Sequence, residues 1–280
     1  MNRRILLLRS ATGVVYIALV VLSIFLGPKW FAVLFFVFSV LSLMEYLRLA
    51  LSPKEKLLHW LAIILGIGLY WLFTLLAFNP HSLKHSLIIW LFLMIPVLFS
   101  FSLFIKSIRV LSSMALTFLG IFYIIIPFAL LNFIGSSTFS VINRPRMLLL
   151  SFFIFVWIND TFAYLIGVNF GHHRLFERIS PAKSWEGALG GILFTIMMGF
   201  LFSYLYKELT ILQWIGMAFI TSIFGIFGDL SESLIKRNFG IKDSGEALPG
   251  HGGFLDRFDS ILFASPAIFC YLVLTELIIL

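Results

Sequence analysis

Apolar stretches of about 20 residues recur along this chain, and they limit its folds more than any other feature. A stretch of that length spans the hydrocarbon core of a bilayer as a helix. Inside lipid, the backbone must satisfy its own hydrogen bonds, which leaves helices or closed barrels. Because the stretches are continuously apolar and do not alternate, we predict an all-α, polytopic integral membrane protein.

Composition agrees with a membrane setting. The chain is 61% hydrophobic and 12% charged, whereas soluble domains carry about 25% charged residues. The formal net charge of +7 is explained by basic loops facing anionic lipid. No soluble basic domain is visible, so we expect the lipid bilayer as a partner and no nucleic acid. The single cysteine, Cys270, lies in an apolar run and lacks partners for a disulfide or zinc site.

The sequence predicts nine transmembrane spans, including a first span that is retained and not cleaved as a signal peptide. Turn-forming pairs such as Gly27-Pro28 and Asn79-Pro80 separate several of them. The predicted spans are 10–27, 30–47, 57–78, 86–105, 110–134, 147–168, 185–205, 211–228 and 259–280.

The basic residues predict the orientation of these spans. If the N-terminus is cytosolic, the inside segments hold fifteen of the twenty Lys and Arg residues. Cytosolic loops of membrane proteins carry such an excess. We therefore predict a cytosolic N-terminus, with the loops 169–184 and 229–258 on the cytosolic side.

The acidic residues divide the chain. No Asp or Glu lies between Glu55 and Asp160, and eleven of the thirteen acids fall at or after Asp160. Because a hard cation needs carboxylate oxygens, we predict that residues 1–145 form an N-terminal scaffold of about five helices. Residues 146–280 would then form a catalytic half of about four helices with the two cytosolic loops. No internal repeat is evident, which argues against an inverted-repeat transporter.

A polar stripe continues the eighth span. Asp229, Glu232, Ser233 and Lys236 follow helical spacing and share one face, with Arg237 one turn beyond Ser233. Acid, hydroxyl and cation on one face suit a metal ion with bound phosphates. A solvated amphipathic face at the membrane surface is the alternative.

A glycine-rich loop leads into the ninth span. Gly250, Gly252 and Gly253 allow close approach of the backbone to a ligand. Asp256 and Asp259 follow on the first turns of the helix, where a capping role is the alternative. The same segment concentrates acids and bases, as metal-assisted phosphoryl or nucleotidyl transfer requires. These further charged residues are Asp243, Glu246, Lys242 and Arg257. His251 could donate to phosphate, act as a base, or fix the loop.

Asp160 lies inside an otherwise apolar span. A charge there costs about 2.5–3.5 kcal/mol on insertion scales and marks function by default; a buried structural hydrogen bond is the alternative. Further along, the glycines at 187, 190 and 191 predict tight helix packing.

The loop before the seventh span adds further candidates. Ser180 precedes Pro181 and is predicted to cap a helix, with Ser184 or Glu186 as further candidates for cap or first-turn acid. Lys183 at a helix N-terminus would oppose the dipole, so we expect it to reach a phosphate.

Together these residues resemble a known family, the phosphatidate cytidylyltransferases or CDP-diacylglycerol synthases. The run from Ser233 to Asp259 resembles the family signature S-x-φ-K-R, then K-D, then L-P-x-H-G-G-φ-x-D-R-φ-D. A second region, from Asp160 through Glu186, is also similar. Within it, Ala182 stands where a second lysine is expected, and Ser184 where threonine is commoner. The motifs cover roughly residues 155–260.

The resemblance implies a nine-span helical fold and the reaction of CTP with phosphatidate to give CDP-diacylglycerol and pyrophosphate. It implies a metal centre on Asp229 and Asp256, with Mg²⁺ as the expected ion and a second cation as a candidate. Lys236 and Asp259 complete the expected catalytic set. The expected substrate-binding residues are Asp160, Ser180, Lys183, Ser184, Glu186, Ser233, Arg237, Lys242, His251 and Arg257. The expected location is a bacterial inner membrane with the site facing the cytosol, and a homodimer is a candidate assembly.

Other functions remain as alternatives. A CTP-dependent lipid kinase would transfer the γ-phosphoryl group and release CDP. A phosphatidyltransferase is disfavoured because its D-G-x-x-A-R motif is missing. An ion or solute transporter would use Asp160 and the loop acids as coupling sites.

Overall fold

The computed structural model describes residues 3–79, 84–106, 108–138, 140–241, 244–245 and 253–279. Within them the chain is almost entirely helical, which confirms the predicted all-α polytopic fold. The helices are α1 (Arg3–Leu26), α2 (Pro28–Ala50), α3 (Lys56–Phe78), α4 (Lys84–Ser102), α5 (Val110–Gly120), α6 (Ile126–Ile134), α7 (Pro145–Phe170), α8 (Trp185–Leu205), α9 (Ile211–Asn238) and α10 (Leu255–Leu274). A π-helical turn, Ile121–Ile125, joins α5 to α6, and an antiparallel hairpin of β1 (Arg174–Phe176) and β2 (Ser180–Ser184) lies between α7 and α8.

Within the described residues, eight helices are long and apolar enough to cross a membrane, when α5, the π turn and α6 are counted as one helix. In α1 the apolar part found among the described side chains is the shorter Thr12–Leu26. One predicted end is wrong, because α10 ends at Leu274 instead of reaching 280. Beyond the predicted span end at 228, α9 continues to Asn238, as the helical spacing of the polar stripe predicted.

The chain forms two compact units. The first comprises residues 1–138 and 243–257, and the second comprises residues 139–242 and 258–280. The first turn of α10 thus belongs to the first unit and the rest of that helix to the second.

In the first unit, α2 packs through a row of buried aromatic residues. Phe31 stacks on Phe35 with ring centroids 4.2 Å apart, and Phe35 lies 5.9 Å from Phe128 of α6. Some polar groups between the helices pair with one another: Asn132 donates to the Tyr70 hydroxyl, which itself donates to the Ala32 carbonyl at 2.7 Å. Such pairing is what an apolar environment requires of buried polar groups.

In the second unit, glycines bring α7 and α8 close together. A Cβ on Gly187 would lie 2.6 Å from the Ala163 carbonyl oxygen, and one on Gly191 would lie 2.7 Å from that of Asn159. Neither position can carry a side chain without displacing α7. This confirms the predicted tight packing and fixes the part of α7 that carries Asp160.

Candidate active site

A cavity of about 340 Å³ opens within the second unit between α7, β2, α8 and α9. Its polar lining includes Asp160, Ser180, Lys183, Ser184 and Asp229, all of which the sequence analysis singled out. The remaining wall is largely apolar and includes Tyr164, Val168, Leu175 and Ala188. The cavity therefore offers charged groups of both signs beside an apolar wall.

Lys183 and Asp229 form an ion pair inside this cavity. The Lys183 ammonium, on β2, contacts the Asp229 carboxylate, on α9. Their side chains are 26% and 35% exposed, respectively, although the ammonium nitrogen of Lys183 is itself buried. Lys183 thus reaches the cavity, but its partner in this structure is a carboxylate.

Two more carboxylates belong to the same group. Asp160 accepts hydrogen bonds from the Ser260 hydroxyl at 3.3 Å and from the Asn159 amide at 3.4 Å. Asp259 lies within electrostatic range of Asp229 and Asp160. Three acids from α7, α9 and α10 therefore lie within electrostatic range of one another, and two of them, Asp160 and Asp229, also interact with the Lys183 ammonium.

Close contact of α9 with α10 brings two of these acids together. A Cβ on Gly228 would collide with the Asp259 carbonyl oxygen, and it would lie 3.2 Å from the Ser260 Cα. Gly228 directly precedes Asp229 in the sequence. Only a residue without a side chain lets the backbone of α10 come this near to Asp229.

The loop before α8 corrects one prediction. Ser180 does not cap a helix, because residues 180–184 pair with Arg174–Phe176 as a strand. Ser184 is the cap, and its hydroxyl accepts from the Gly187 amide at 3.2 Å. The hairpin moves the start of the helix beyond Lys183, which therefore lies on the strand and not on a helix N-terminus.

Glu186 occupies the first turn of α8, as one of the alternatives predicted. Its carboxylate accepts the backbone amides of His172 and His173, each at 3.2 Å, and the His173 ring nitrogen Nδ1 lies 2.6 Å away. These contacts tie the end of α7 to the start of α8. In this structure the hydrogen-bond partners of Glu186 are therefore groups of the protein itself.

The predicted polar stripe lies on α9. Glu232 is fully buried and forms an ion pair with Lys236 one turn later. The alternative prediction of a solvated amphipathic face is therefore wrong for Glu232, which is buried. The Arg237 guanidinium donates to the carbonyls of Ile179 and Ile241, at 3.4 and 3.0 Å. Because a guanidinium has five N–H donors, these two bonds leave donors for a phosphate group.

Asp256 lies in the first unit, on the first turn of α10. Its carboxylate accepts the amides of Gly253 at 2.9 Å and Ser244 at 3.1 Å. Arg257 beside it is exposed. The predicted residues Lys242, Asp243, Glu246, Gly250, His251 and Gly252 lie outside the described residues.

Sequence reasoning missed three residues that contact the site residues or the segments beside them: Glu45, Asn159 and Ser260. Glu45 carried a usable signal, because it is a solitary acid near the end of an apolar span. Asn159 and Ser260 carried no sequence signal other than their adjacency to Asp160 and Asp259. Glu232 was placed on the right face, but its complete burial depends on helix packing.

The donor chemistry fits a hard divalent cation. Carboxylate oxygens are the ligands that Mg²⁺ prefers, and the Lys183 ammonium beside Asp229 marks a place that accommodates positive charge. Across the part of the chain that the structure describes, however, no three Asp, Glu, His or Cys side chains are grouped as a metal site. A metal centre therefore remains a proposal.

Long apolar helices, together with a cavity in the second unit that is lined by charges of both signs, define an integral membrane protein. The chain belongs to the cytidylyltransferase family, whose pattern matches residues 7–275.

Several relatives carry the name phosphatidate cytidylyltransferase. The protein from Staphylococcus aureus (strain COL) is 47% identical over 116 residues, which is 41% of this chain and 44% of the relative. The protein from Staphylococcus epidermidis (strain ATCC 12228) is 45% identical over 125 residues, 44% and 48% of the two chains. The chain thus spans slightly less than half the length of these relatives. The Staphylococcus haemolyticus protein (strain JCSC1435) is 36% identical over 231 residues, 81% of this chain and 88% of the relative.

Proposed function

We propose that this chain is a phosphatidate cytidylyltransferase that transfers CMP from CTP to phosphatidate. The carrying observation is the Lys183–Asp229 ion pair in a cavity that also holds Asp160 and has an apolar wall. A lipid phosphate and a nucleotide triphosphate are both polyanions, and one of them has an apolar tail. Family membership and the names of the relatives support the same reaction.

In the proposed reaction, a phosphate oxygen of phosphatidate attacks the α-phosphorus of CTP. A new P–O bond forms there, the bond from the α-phosphorus to the bridging oxygen breaks, and pyrophosphate leaves with that electron pair. The attacking oxygen is already anionic, so no strong general base is needed. The protein contributes chiefly by positioning the reactants and stabilising developing charge.

Each group has an assigned role. Lys183 would exchange its contact with Asp229 for a substrate phosphate, with Ser180 and Ser184 lining the same wall. Lys236, Arg237 and Arg257 would hold further phosphate oxygens, with Ser233, Lys242, His251 and Glu186 as the other proposed substrate contacts. Asp229 and Asp256 would hold Mg²⁺, which when bound would neutralise phosphate charge, and Asp259 would orient Asp229. The proposed location is a bacterial inner membrane with the N-terminus and the site on the cytosolic side.

A direct assay tests this function. Purified protein in vesicles containing phosphatidate receives CTP and Mg²⁺, and the liponucleotide and pyrophosphate are measured. We expect both products in equal amounts, and loss of both in Asp229→Asn with normal membrane insertion. Release of CDP instead of pyrophosphate would indicate a lipid kinase, and ion flux without CTP dependence would indicate a transporter. Glu208→Gln, which changes an acid on the α8–α9 loop, is the matched control.

A further inference from the structure

Glu45 of α2 is a buried acid that the proposed reaction does not use directly. Its side chain is 6% exposed, and it lies in the half of the sequence with only one other acid before Asp160. A charge in an apolar helix is costly and is retained where it has a task. The contacts of Glu45 within the first unit indicate what that task is.

One carboxylate oxygen of Glu45 binds both sides of the loop that precedes α10. Oε2 accepts the backbone amide of Leu255 at 2.9 Å and the hydroxyl of Ser244 at 3.3 Å. Leu255 is the first residue of α10, and Ser244 lies at the other end of the loop. The same oxygen therefore joins Ser244 to the first residue of α10 and satisfies an amide at the start of that helix.

The glycines of the loop allow this approach. A Cβ on Gly253 would collide with both Ser244 Oγ and Glu45 Oε2, and a Cβ on Gly245 would lie 3.0 Å from Glu45 Oε1. The backbone thus lies directly against the carboxylate on two sides. Sequence reasoning assigned Gly253 to close approach of a ligand, whereas in this structure it is Glu45 that it approaches.

A second contact fixes the same segment to α2. Phe254 packs against Phe38 with ring centroids 6.0 Å apart. Phe38 and Glu45 are seven residues apart and so lie on the same face of the helix. The adjacent Tyr46 is also held firmly, because it is fully buried and donates to the Leu116 carbonyl at 3.1 Å. One face of α2 is therefore a rigid support for residues 253–255.

Asp256 shares this arrangement. Its carboxylate accepts the amides of Ser244 and Gly253, two residues that also lie against Glu45. Loss of the Glu45 contacts would leave Asp256 as the remaining side-chain acceptor that joins Ser244 to Gly253 within the described residues. Glu45 and Asp256 thus contact the same two residues, Ser244 and Gly253.

We propose that Glu45 is a positioning residue that fixes residues 244–245 and 253–255, and through them the Asp256 carboxylate, in the orientation that binds the divalent cation. This rests on the proposed function only where activity is the readout. Groups that hold a metal ligand from behind commonly change metal affinity or activity 10–100-fold when removed. Glu45 itself touches neither substrate nor metal in this proposal.

The test compares Glu45→Ala, Glu45→Gln and Glu55→Gln. Glu55 is the matched control, because it is equally buried in the same unit and accepts two hydrogen bonds, from Ser113 and Ser52, away from the loop. We expect the Mg²⁺ concentration for half-maximal activity to rise about tenfold in Glu45→Ala. It should rise less in Glu45→Gln, whose side-chain oxygen can still accept both bonds, and stay unchanged in Glu55→Gln.

Amide hydrogen exchange supplies a readout that needs no activity. The Leu255 and Gly253 amides should exchange at least about tenfold faster in Glu45→Ala than in wild type, as expected when a protecting contact is lost, and at the wild-type rate in Glu55→Gln. Unchanged exchange in a folded Glu45→Ala or Glu45→Gln variant would overturn the proposal. If wild type makes no liponucleotide yet exchange at 253–255 still depends on Glu45, the proposed function fails while the positioning role stands. If Glu45→Ala does not fold, the Mg²⁺ dependence of activity and the amide exchange of Glu45→Gln test the proposal instead.

Discussion

The ammonium of Lys183 contacts the carboxylate of Asp229, joining strand β2 to helix α9 inside the cavity of the second unit. The two residues are separated by 46 positions in the printed sequence. Their contact depends on the hairpin, which places Lys183 ahead of the Ser184 cap, and on the extension of α9 past Gly228. The two side chains are about one quarter and one third exposed, and both line the cavity.

The first prediction concerns the coupling between these two charges. Lys183→Met and Asp229→Asn should each destabilise the protein, because each leaves the partner charge unpaired in the cavity. The double variant should be more stable than the sum of the single losses predicts, with a coupling of about 0.5–3 kcal/mol. Thermal unfolding of the four proteins in detergent measures it, and strictly additive losses would show that the pair contributes nothing.

The second prediction concerns catalysis by Lys183. If its ammonium stabilises charge on a transferring phosphate, Lys183→Met should lower liponucleotide formation by about 10²–10³. Lys207→Met is the control, because Lys207 is an exposed lysine on the loop between α8 and α9. Near wild-type turnover in Lys183→Met would remove Lys183 from the chemistry.

The third prediction concerns the contact between α7 and α8. In Gly191→Ala the new methyl group would meet the carbonyl oxygen of Asn159 at 2.7 Å and its side-chain oxygen at 2.8 Å. We expect a loss of about 1–3 kcal/mol from overpacking, together with reduced activity because Asn159 donates to Asp160. Gly13→Ala is the control, since no atom lies within 4 Å of its added carbon. Equal thermal stability of the two variants would contradict this account.

The fourth prediction concerns the start of α8. Ser184→Ala removes the acceptor for the Gly187 amide and should cost about 1 kcal/mol, as loss of a helix cap does. Ser203→Ala is the comparison, because Ser203 lies in the last turn of the same helix, where its hydroxyl donates to the Phe200 carbonyl and caps no amide at the helix start. Thermal unfolding should separate the two variants. A cap role for Ser184 is excluded if they unfold alike.

Much of the fold could be predicted from sequence, because an apolar run of about 20 residues has few stable states in lipid. The end of α10 could not, because the sequence stays largely apolar to residue 280 whereas the helix ends at Leu274. Helix α9 continues ten residues beyond its apolar part, as the helical spacing of the polar stripe indicated, and Glu232 and Lys236 pair along it. The β-hairpin was missed because its strands have three and five residues and one contains Pro181.

For the site, too, some residues could be predicted from the sequence and others could not. Asp160, Lys183 and Asp229 could be predicted because charges are conspicuous against apolar surroundings, and the structure brings these three to one cavity. The role of Glu45 could not, because its partners Ser244 and Leu255 lie 199 and 210 residues away. A contact over that distance in sequence leaves no local pattern.

The central claim is that Asp229 and Asp256 together hold a divalent cation for cytidylyl transfer. Anomalous diffraction from crystals grown with Mn²⁺ in place of Mg²⁺ tests it most directly. We expect an anomalous peak for an ion that is bound by an oxygen of each carboxylate, at close to the Mg²⁺–oxygen distance of about 2.0–2.1 Å. We expect this peak to be lost in Asp229→Asn. A peak held by other residues alone, or two carboxylates too far apart to share one ion or two neighbouring ions, would contradict it.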